Sequence, residues 1–192
     1  MQGFDKKEFG ALKMKYGKNA VVKRVHYNFE SAKFFSEFKY NVENNRRGEV
    51  AFFVERKNGR FILVRTKYYP EGVCRVPTGG IDFDESVEDA LLREVREELG
   101  LTVTIEKFLG VINHKVDFEG ERLEFYSYGF WLKEQGGTVL EDATENEISE
   151  IIETDKQGIA KAASGLLMST NGKWTDWCRY RGQTTGFILS YI

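Results

Sequence analysis

Apolar and polar positions along the chain mark short strands separated by turns, with one sharply bounded helix near the middle. Residues 21–29 (VVKRVHYNF) have strand character, whereas the aromatic spacing of 30–40 (ESAKFFSEFKY) suits helix and strand equally. Residues 50–55 (VAFFVE) and 60–65 (RFILVR) are apolar runs joined across Asn58-Gly59, a strong hairpin signal. Three more strands are predicted at 102–108, 111–116 and 123–132, the last rich in the aromatics that strands favour. The acidic, glycine-containing stretch 134–147 reads as loop with a short strand at 138–140, and 148–152 as a final strand. A late helix is predicted over 156–168 (KQGIAKAASGLLM), before an aromatic-rich tail from Trp174. Strands on both sides of an internal helix, with another helix late, predict a layered α/β domain.

Residues 1–20 show no clear periodicity and read as a poorly ordered start or a short helix. The polar, turn-rich stretch 41–48 (NVENNRRG) is the best boundary. It divides the chain into an N-terminal basic extension, 1–47, and a main domain with its aromatic tail, 48–192.

The central helix is predicted from Val87 to Leu99. Ser86 with Asp89 three residues on has the form of an N-cap with an acidic partner, and Gly100 is the residue type that ends a helix in the left-handed conformation. At 100° per residue, Leu91, Leu92, Val95 and Leu99 form an apolar arc. Glu94, Glu97 and Glu98 stand beside it at i, i+3 and i+4, close enough to repel. A divalent cation would neutralise such a cluster, and oxygen-only donors suit Mg²⁺ or Mn²⁺. The plainer alternative is a solvated acidic face paired with Arg93 and Arg96.

Spacing separates the two. From Gly79 the chain runs five residues to Glu85, seven more, then Arg93-Glu94-Val95-Arg96-Glu97-Glu98-Leu99-Gly100-Leu101. This stretch resembles the Nudix box, Gly-x5-Glu-x7-Arg-Glu-U-x-Glu-Glu-x-Gly-U with U apolar, at every defined position. The resemblance implies an α/β/α sandwich with a mixed sheet and a metal-binding loop-helix-loop. It also implies an enzyme, a hydrolase that cleaves a diphosphate linkage in a nucleoside diphosphate derivative with Mg²⁺ or Mn²⁺. By matching position, Glu94, Glu97 and Glu98 are the implied metal ligands, with a backbone carbonyl at Gly79 or Thr78. Arg93 is implied to orient a box glutamate, Glu85 to be structural or a secondary metal contact, and Gly100 to be structural. The family often adds a glutamate from a late loop as base or ligand. Of Glu145, Glu147 and Glu150, Glu147 is the choice, and a solvated loop acid is the alternative.

Arg65, Lys67 and Arg75 precede the box and are candidates for substrate phosphates, against a reading as exposed strand-end charges. Tyr68, Tyr69, Phe130 and Trp131 could stack on a base or pack the sheet. His114 reads as a strand residue rather than a base, His26 has no assignable role, and Trp174 and Trp177 read as a cap on one end of the fold. The segment before the box, VRTKYYPEGVCRVPTGGI, is similar to that of ADP-ribose and nucleotide-sugar diphosphatases, whose N-terminal extension often builds a dimer. Those enzymes commonly carry a proline about fifteen residues after the box, where this chain has His114-Lys115-Val116. A (d)NTP or dinucleoside polyphosphate is the alternative substrate. A non-catalytic ligand-sensing domain is the competing class, against which every box glutamate is kept.

Charge adds little. A net −2 over 192 residues exerts no general pull on nucleic acid or anionic membrane. Residues 1–48 hold 11 Lys and Arg against 5 Asp and Glu, while the remainder holds 17 against 25. A basic arm on an acidic body could dock on it, pair two copies as a homodimer, or collect phosphorylated substrate. No apolar run approaches the ~20 residues that cross a bilayer, and the N-terminus lacks the apolar core of a secretory signal. Cys74 and Cys178 form no metal-spaced set, so reduced thiols and a cytoplasmic setting are expected.

Overall fold

Two apolar strands, β2 (Gly48–Glu55) and β3 (Phe61–Arg65), lie at the centre of the sheet because both of their faces are covered. Val50, Phe52 and Val54 enter one core layer with Ile62 and Val64, and Ala51 and Phe53 enter the other with Phe61 and Leu63. The computed structural model of the chain describes residues 4–145, 147–170 and 172–191. Parts of the expected N-terminal segment (1–3), acidic loop (146) and C-terminal tail (192) lie outside the described residues.

Five further strands complete the sheet: β1 (Val21–Asn28), β4 (Thr78–Ile81), β5 (Leu101–Phe118), β6 (Glu121–Gly137) and β7 (Glu150–Thr154). Their order is β1-β5-β6-β2-β3-β7, with β4 pairing to β2. β1 with β5 and β6 with β2 are parallel and the other pairs antiparallel, so the sheet is mixed. Helices α1 (Lys6–Tyr16) and α3 (Val87–Leu99) cover one face through Leu12, Leu91, Val95 and Leu99. The opposite face is covered by α4 (Lys156–Leu167) and α5 (Thr175–Leu189) through Ile159, Phe187 and Ile188. The result is an α/β/α sandwich. No helix among the described residues is long and apolar enough to cross a membrane.

Several expectations need correction. Residues 102–108 and 111–116 belong to one strand, β5, whose register shifts between Phe108 and Gly110 where β1 begins to pair. β5 returns as β6 through Glu119-Gly120, at φ 46° and 87°, the two positive angles of a tight hairpin turn. Residues 138–140 form a turn rather than a strand. Leu140 N–H donates to the Leu99 carbonyl (3.0 Å), drawing this segment over the end of α3 instead of onto a sheet edge. The tail from Trp174 is helical.

The first 47 residues are not an appendage to a finished sheet. They form α1, β1 and α2 (Ala32–Tyr40), the last running into a π-helical turn, Asn41–Asn45. Helix wins over strand at 32–40 because Phe35, Phe38 and Val42, at i, i+3 and i+7, bury together against Tyr27, Phe125 and Tyr180. β1 pairs with β5 over its whole length, from Val21 opposite Gly110 to Asn28 opposite Asp117. α1 also supports the box. Glu8 accepts two bonds from Arg47 (both 2.9 Å) and one from Val87 N–H (2.9 Å), capping the first turn of α3.

Candidate active site

The box folds as β4, a short loop and α3. Ser86 Oγ accepts from Asp89 N–H (3.1 Å), and Gly100 closes the helix at φ 70°. Between these caps, the buried face of α3 comprises Val87, Ala90, Leu91, Glu94, Val95, Glu98 and Leu99. Leu92, expected in the apolar arc, is instead 38% exposed. The helix is rotated so that the row through positions 87, 91, 94 and 98 faces β4 and the sheet. Glu94 and Glu98 are accordingly only 8% and 7% exposed, not on an open helix edge.

β4 makes room for them. A Cβ on Gly79 would stand 2.0 Å from Glu94 Cδ, so only glycine lets this carboxylate lie against the strand. Arg93 binds the neighbouring acids. It donates to both Glu85 oxygens (2.8 Å each), to Glu94 Oε1 (3.0 Å), to Glu97 Oε2 (2.9 Å) and to the Gly80 carbonyl (3.0 Å). Arg93's bonds hold the Glu85 carboxyl below its usual range. Burial pushes Glu94 up. It pushes Glu98 up to about 8, with Glu94, Glu147 and Glu145 adding like charge and Arg75 opposing.

Glu94, Glu98, Gly79, Arg75, Glu145 and Glu147 line one cleft of about 520 Å³. Glu97 does not line it; its carboxylate is held at Arg93. Of the three basic residues expected at the substrate phosphates, only Arg75 lies here, where it donates to Tyr69 Oη (2.6 Å), the Val76 carbonyl (2.8 Å) and Thr78 Oγ1 (2.9 Å). Arg65 is engaged by Glu150 (2.9 Å), and Lys67 lies over the exposed Tyr68 ring; neither reaches the cleft. Phe130 is core, and Trp131 donates Nε1–H to Glu55 (3.0 Å). Tyr69 and Trp177 do reach the cleft, with ring centroids 4.6 Å apart. His26 pairs with Asp117 at 2.8 Å, away from the cleft.

The residues sequence reasoning missed are Glu49 on β2, Arg46 after α2, and Arg181 on α5. The signal available was the spacing Trp177, Tyr180, Arg181 at i, i+3 and i+4, legible once the tail is taken as helix. Glu49 is 1% exposed and receives Ser127 Oγ–H (2.7 Å), Tyr180 Oη–H (2.8 Å) and Arg181 Nη1–H (2.9 and 3.0 Å). Burial works against its charge, but the Arg181 guanidinium and these hydroxyls outweigh it and hold the pKa at about 2. Ser127 gives its proton to Glu49, so it accepts from His114 Nε2–H (2.8 Å), and His114 Nδ1 accepts the Tyr27 hydroxyl (2.9 Å). His114 is thus a neutral, fully buried strand residue.

The donor set fits a hard divalent cation. Two buried carboxylates share the cleft with Gly79, and Glu98 Oε2 is buried with no hydrogen-bond partner among the described residues. Among the described residues, no three His, Cys, Asp or Glu side chains converge into a ready-made cage. Arg93 draws Glu97 and one oxygen of Glu94 to itself.

A glycine strand, a capped helix with two inward glutamates and an arginine binding their neighbours make up this end of the cleft. The NUDIX domain family model matches residues 45–176, and the chain belongs to the Nudix hydrolase family. An ADP-ribose pyrophosphatase of Methanocaldococcus jannaschii is 36% identical over 56 residues, covering 29% of this chain and 33% of that protein. The match thus spans about a third of that relative's length. Among solved structures, an ADP-ribose pyrophosphatase of Streptococcus suis is 14% identical, covering 74% of this chain and 89% of its own at a TM-score of 0.46. The E. coli dihydroneopterin triphosphate pyrophosphohydrolase is 13% identical, covering 77% and 97% at a TM-score of 0.49.

Proposed function

We propose that this protein hydrolyses a diphosphate linkage in a nucleoside diphosphate derivative, a nucleotide sugar or ADP-ribose-like molecule, in a cytoplasmic setting and with Mg²⁺ or Mn²⁺. The observation that carries this is Glu98. Its carboxylate is buried in a cleft, has an oxygen without a partner among the described residues and a raised pKa, and stands beside a second buried glutamate. Such a group is costly unless something binds it.

Glu94 and Glu98, with the carbonyl of Gly79, are the groups to hold the metal. Bound there, a divalent ion neutralises the polyanionic diphosphate and makes water more acidic. Arg93 holds Glu94 in place, with Glu85 and Glu97 fixing the arginine. Arg75, beside Glu98, is the cation in the wall nearest that carboxylate's charge. Glu147 lies exposed in the same cleft and is the candidate to take the proton of the attacking water.

The test is product analysis on ADP-ribose, nucleotide sugars, (d)NTPs and dinucleoside polyphosphates with Mg²⁺ and Mn²⁺, using Glu98→Gln as control. Cleavage within a diphosphate, abolished by chelation and lowered more than about 100-fold in the variant, is expected; loss of a group that merely supports a ligand costs ~10–100-fold. Equal turnover in Glu98→Gln would overturn the assignment. A failure to cleave any of these compounds would favour a ligand-sensing domain.

A further inference from the structure

The family match covers residues 45–176, yet the cleft wall is completed from outside it on both sides. Phe34 and Phe38 come from α2, and Trp177, Tyr180 and Arg181 from α5. The two helices are fastened to each other. Asp176 Oδ2 accepts from Glu30 N–H (2.9 Å) and Ser31 N–H (2.8 Å) at the start of α2, and the Phe38 and Tyr180 rings meet edge-on at 5.5 Å. This is a built wall of flat apolar surface with one cation in it.

That cation is unusual in what it leaves unused. Arg181 spends Nη1 on Glu49, while no hydrogen bond from its Nη2 is made to any described residue. Nε is buried with no partner among the described residues, whereas Nη2 is not among the buried unpartnered atoms, and the side chain, 14% exposed, lines the cleft. The relay Tyr27–His114–Ser127 fixes Glu49, and Glu49 fixes the guanidinium plane. Glu49 also cancels Arg181's charge. A rigid, charge-compensated donor suits a neutral acceptor such as a carbonyl better than a phosphate.

The phosphates have another cation available. Arg46 lies over Gly80, where a Cβ would stand 3.5 Å from its Cζ, and its guanidinium makes no hydrogen bond or ion pair with any described residue. It lines the cleft against Gly80 of β4, whose carbonyl accepts from Arg93, and is available to an anion there.

We propose that Arg181, Trp177 and Phe34 form a nucleobase subsite that selects a base with a carbonyl at purine C6 or pyrimidine C4, as in guanine and uracil, over one with an amino group at that position, as in adenine and cytosine. The aromatic side chains supply stacking surface for any base. Arg181 supplies the choice, because a guanidinium donor matches the O6/N7 edge of guanine or the 4-oxo group of uracil and meets a donor on adenine or cytosine. This rests on the nucleoside-diphosphate reading and moves its preference from ADP-ribose toward a guanine or uracil nucleotide.

Binding of GMP, UMP, AMP and CMP to the full chain without metal, followed by tryptophan fluorescence, tests the subsite apart from catalysis. GMP or UMP is expected to bind at least about 10-fold more tightly than AMP and CMP. Arg181→Lys keeps a cation beside Glu49, so the buried pair survives, and the preference should collapse to within about two-fold. Trp177→Leu should weaken all four ligands without reordering them. Equal binding of AMP and GMP by the wild type, a preference retained in Arg181→Lys, or no binding of any of the four would overturn the proposal. The substrate panel separates the two readings. Base preference without cleavage sinks the hydrolase and leaves the subsite, and cleavage without base preference does the reverse.

Discussion

Glu94 and Glu98 occupy positions on α3 that helical packing would normally give to apolar residues. Each carboxylate is raised in pKa by burial, and the two are relieved differently: Arg93 donates to Glu94, whereas Glu98 Oε2 has no partner among the described residues. Gly79 is what makes the arrangement possible. Gly79→Ala is expected to push the Glu94 side chain off β4 and to lower turnover about 10–100-fold while the circular dichroism spectrum is unchanged. Activity equal to wild type would show that Glu94 needs no such contact. His114 makes a second prediction at this scale. Burial lowers its pKa from 6.5 to about 3, against the attraction of Glu49. Between those values the unfolded chain takes up a proton that the folded chain refuses, so stability falls as pH falls below 6.5. By pH 5 the loss is about 2 kcal/mol. Glu98, raised to about 8, titrates in the same window with the opposite sign. The test is therefore the stability difference between wild type and His114→Gln in urea, which leaves Glu98 common to both and should change by about 2 kcal/mol between pH 7 and pH 5. Glu49, held near pH 2, adds acid sensitivity only below 4.5, its unperturbed value.

At the scale of elements, the decisive piece is β1 rather than the box. Its parallel pairing covers the edge of β5, and Tyr27 and Phe29 join Phe35, Phe38 and Val116 in a third apolar cluster. Meanwhile α1 caps α3 through Glu8. Deleting residues 1–28 removes Leu12, Ala20, Tyr27 and that cap together. Such a truncation is expected to yield protein that exposes apolar surface and lacks a cooperative thermal transition, since each large buried side chain contributes about 1.5–3 kcal/mol. A truncated protein with a wild-type melting curve would show the N-terminal segment to be a separable extension. The basic character of that segment is partly consumed within the fold, as in the pairs Arg47–Glu8 and Lys15–Glu88, both at 2.9 Å.

For the molecule as a whole, the proposed function links metal binding to stability, because a cation held by folded Glu94 and Glu98 would have no equivalent site in the unfolded chain. Mg²⁺ at about 100 times its Kd should add about 2.7 kcal/mol. For a chain of this size that is a rise in Tm of about 5–10 °C. The rise should disappear in Glu98→Gln, and an equal rise in that variant would place the stabilising metal elsewhere. The box spacing, its caps, the strand alternation of β2 and β3, and the layered α/β class are legible in the sequence because each depends on neighbours in the chain. The joining of two predicted strands into β5, the helical tail and the folding of α1, β1 and α2 into the sheet are not, because long-range pairing and shared burial override ambiguous local patterns. The same holds for the cleft. Glu94 and Glu98 are one helical turn apart and declare themselves in sequence. Glu49 and Arg181 are brought within 2.9 Å only when β2 and α5 pack on the same end of the sheet, so the tertiary structure alone decides what lines the rest of the cleft.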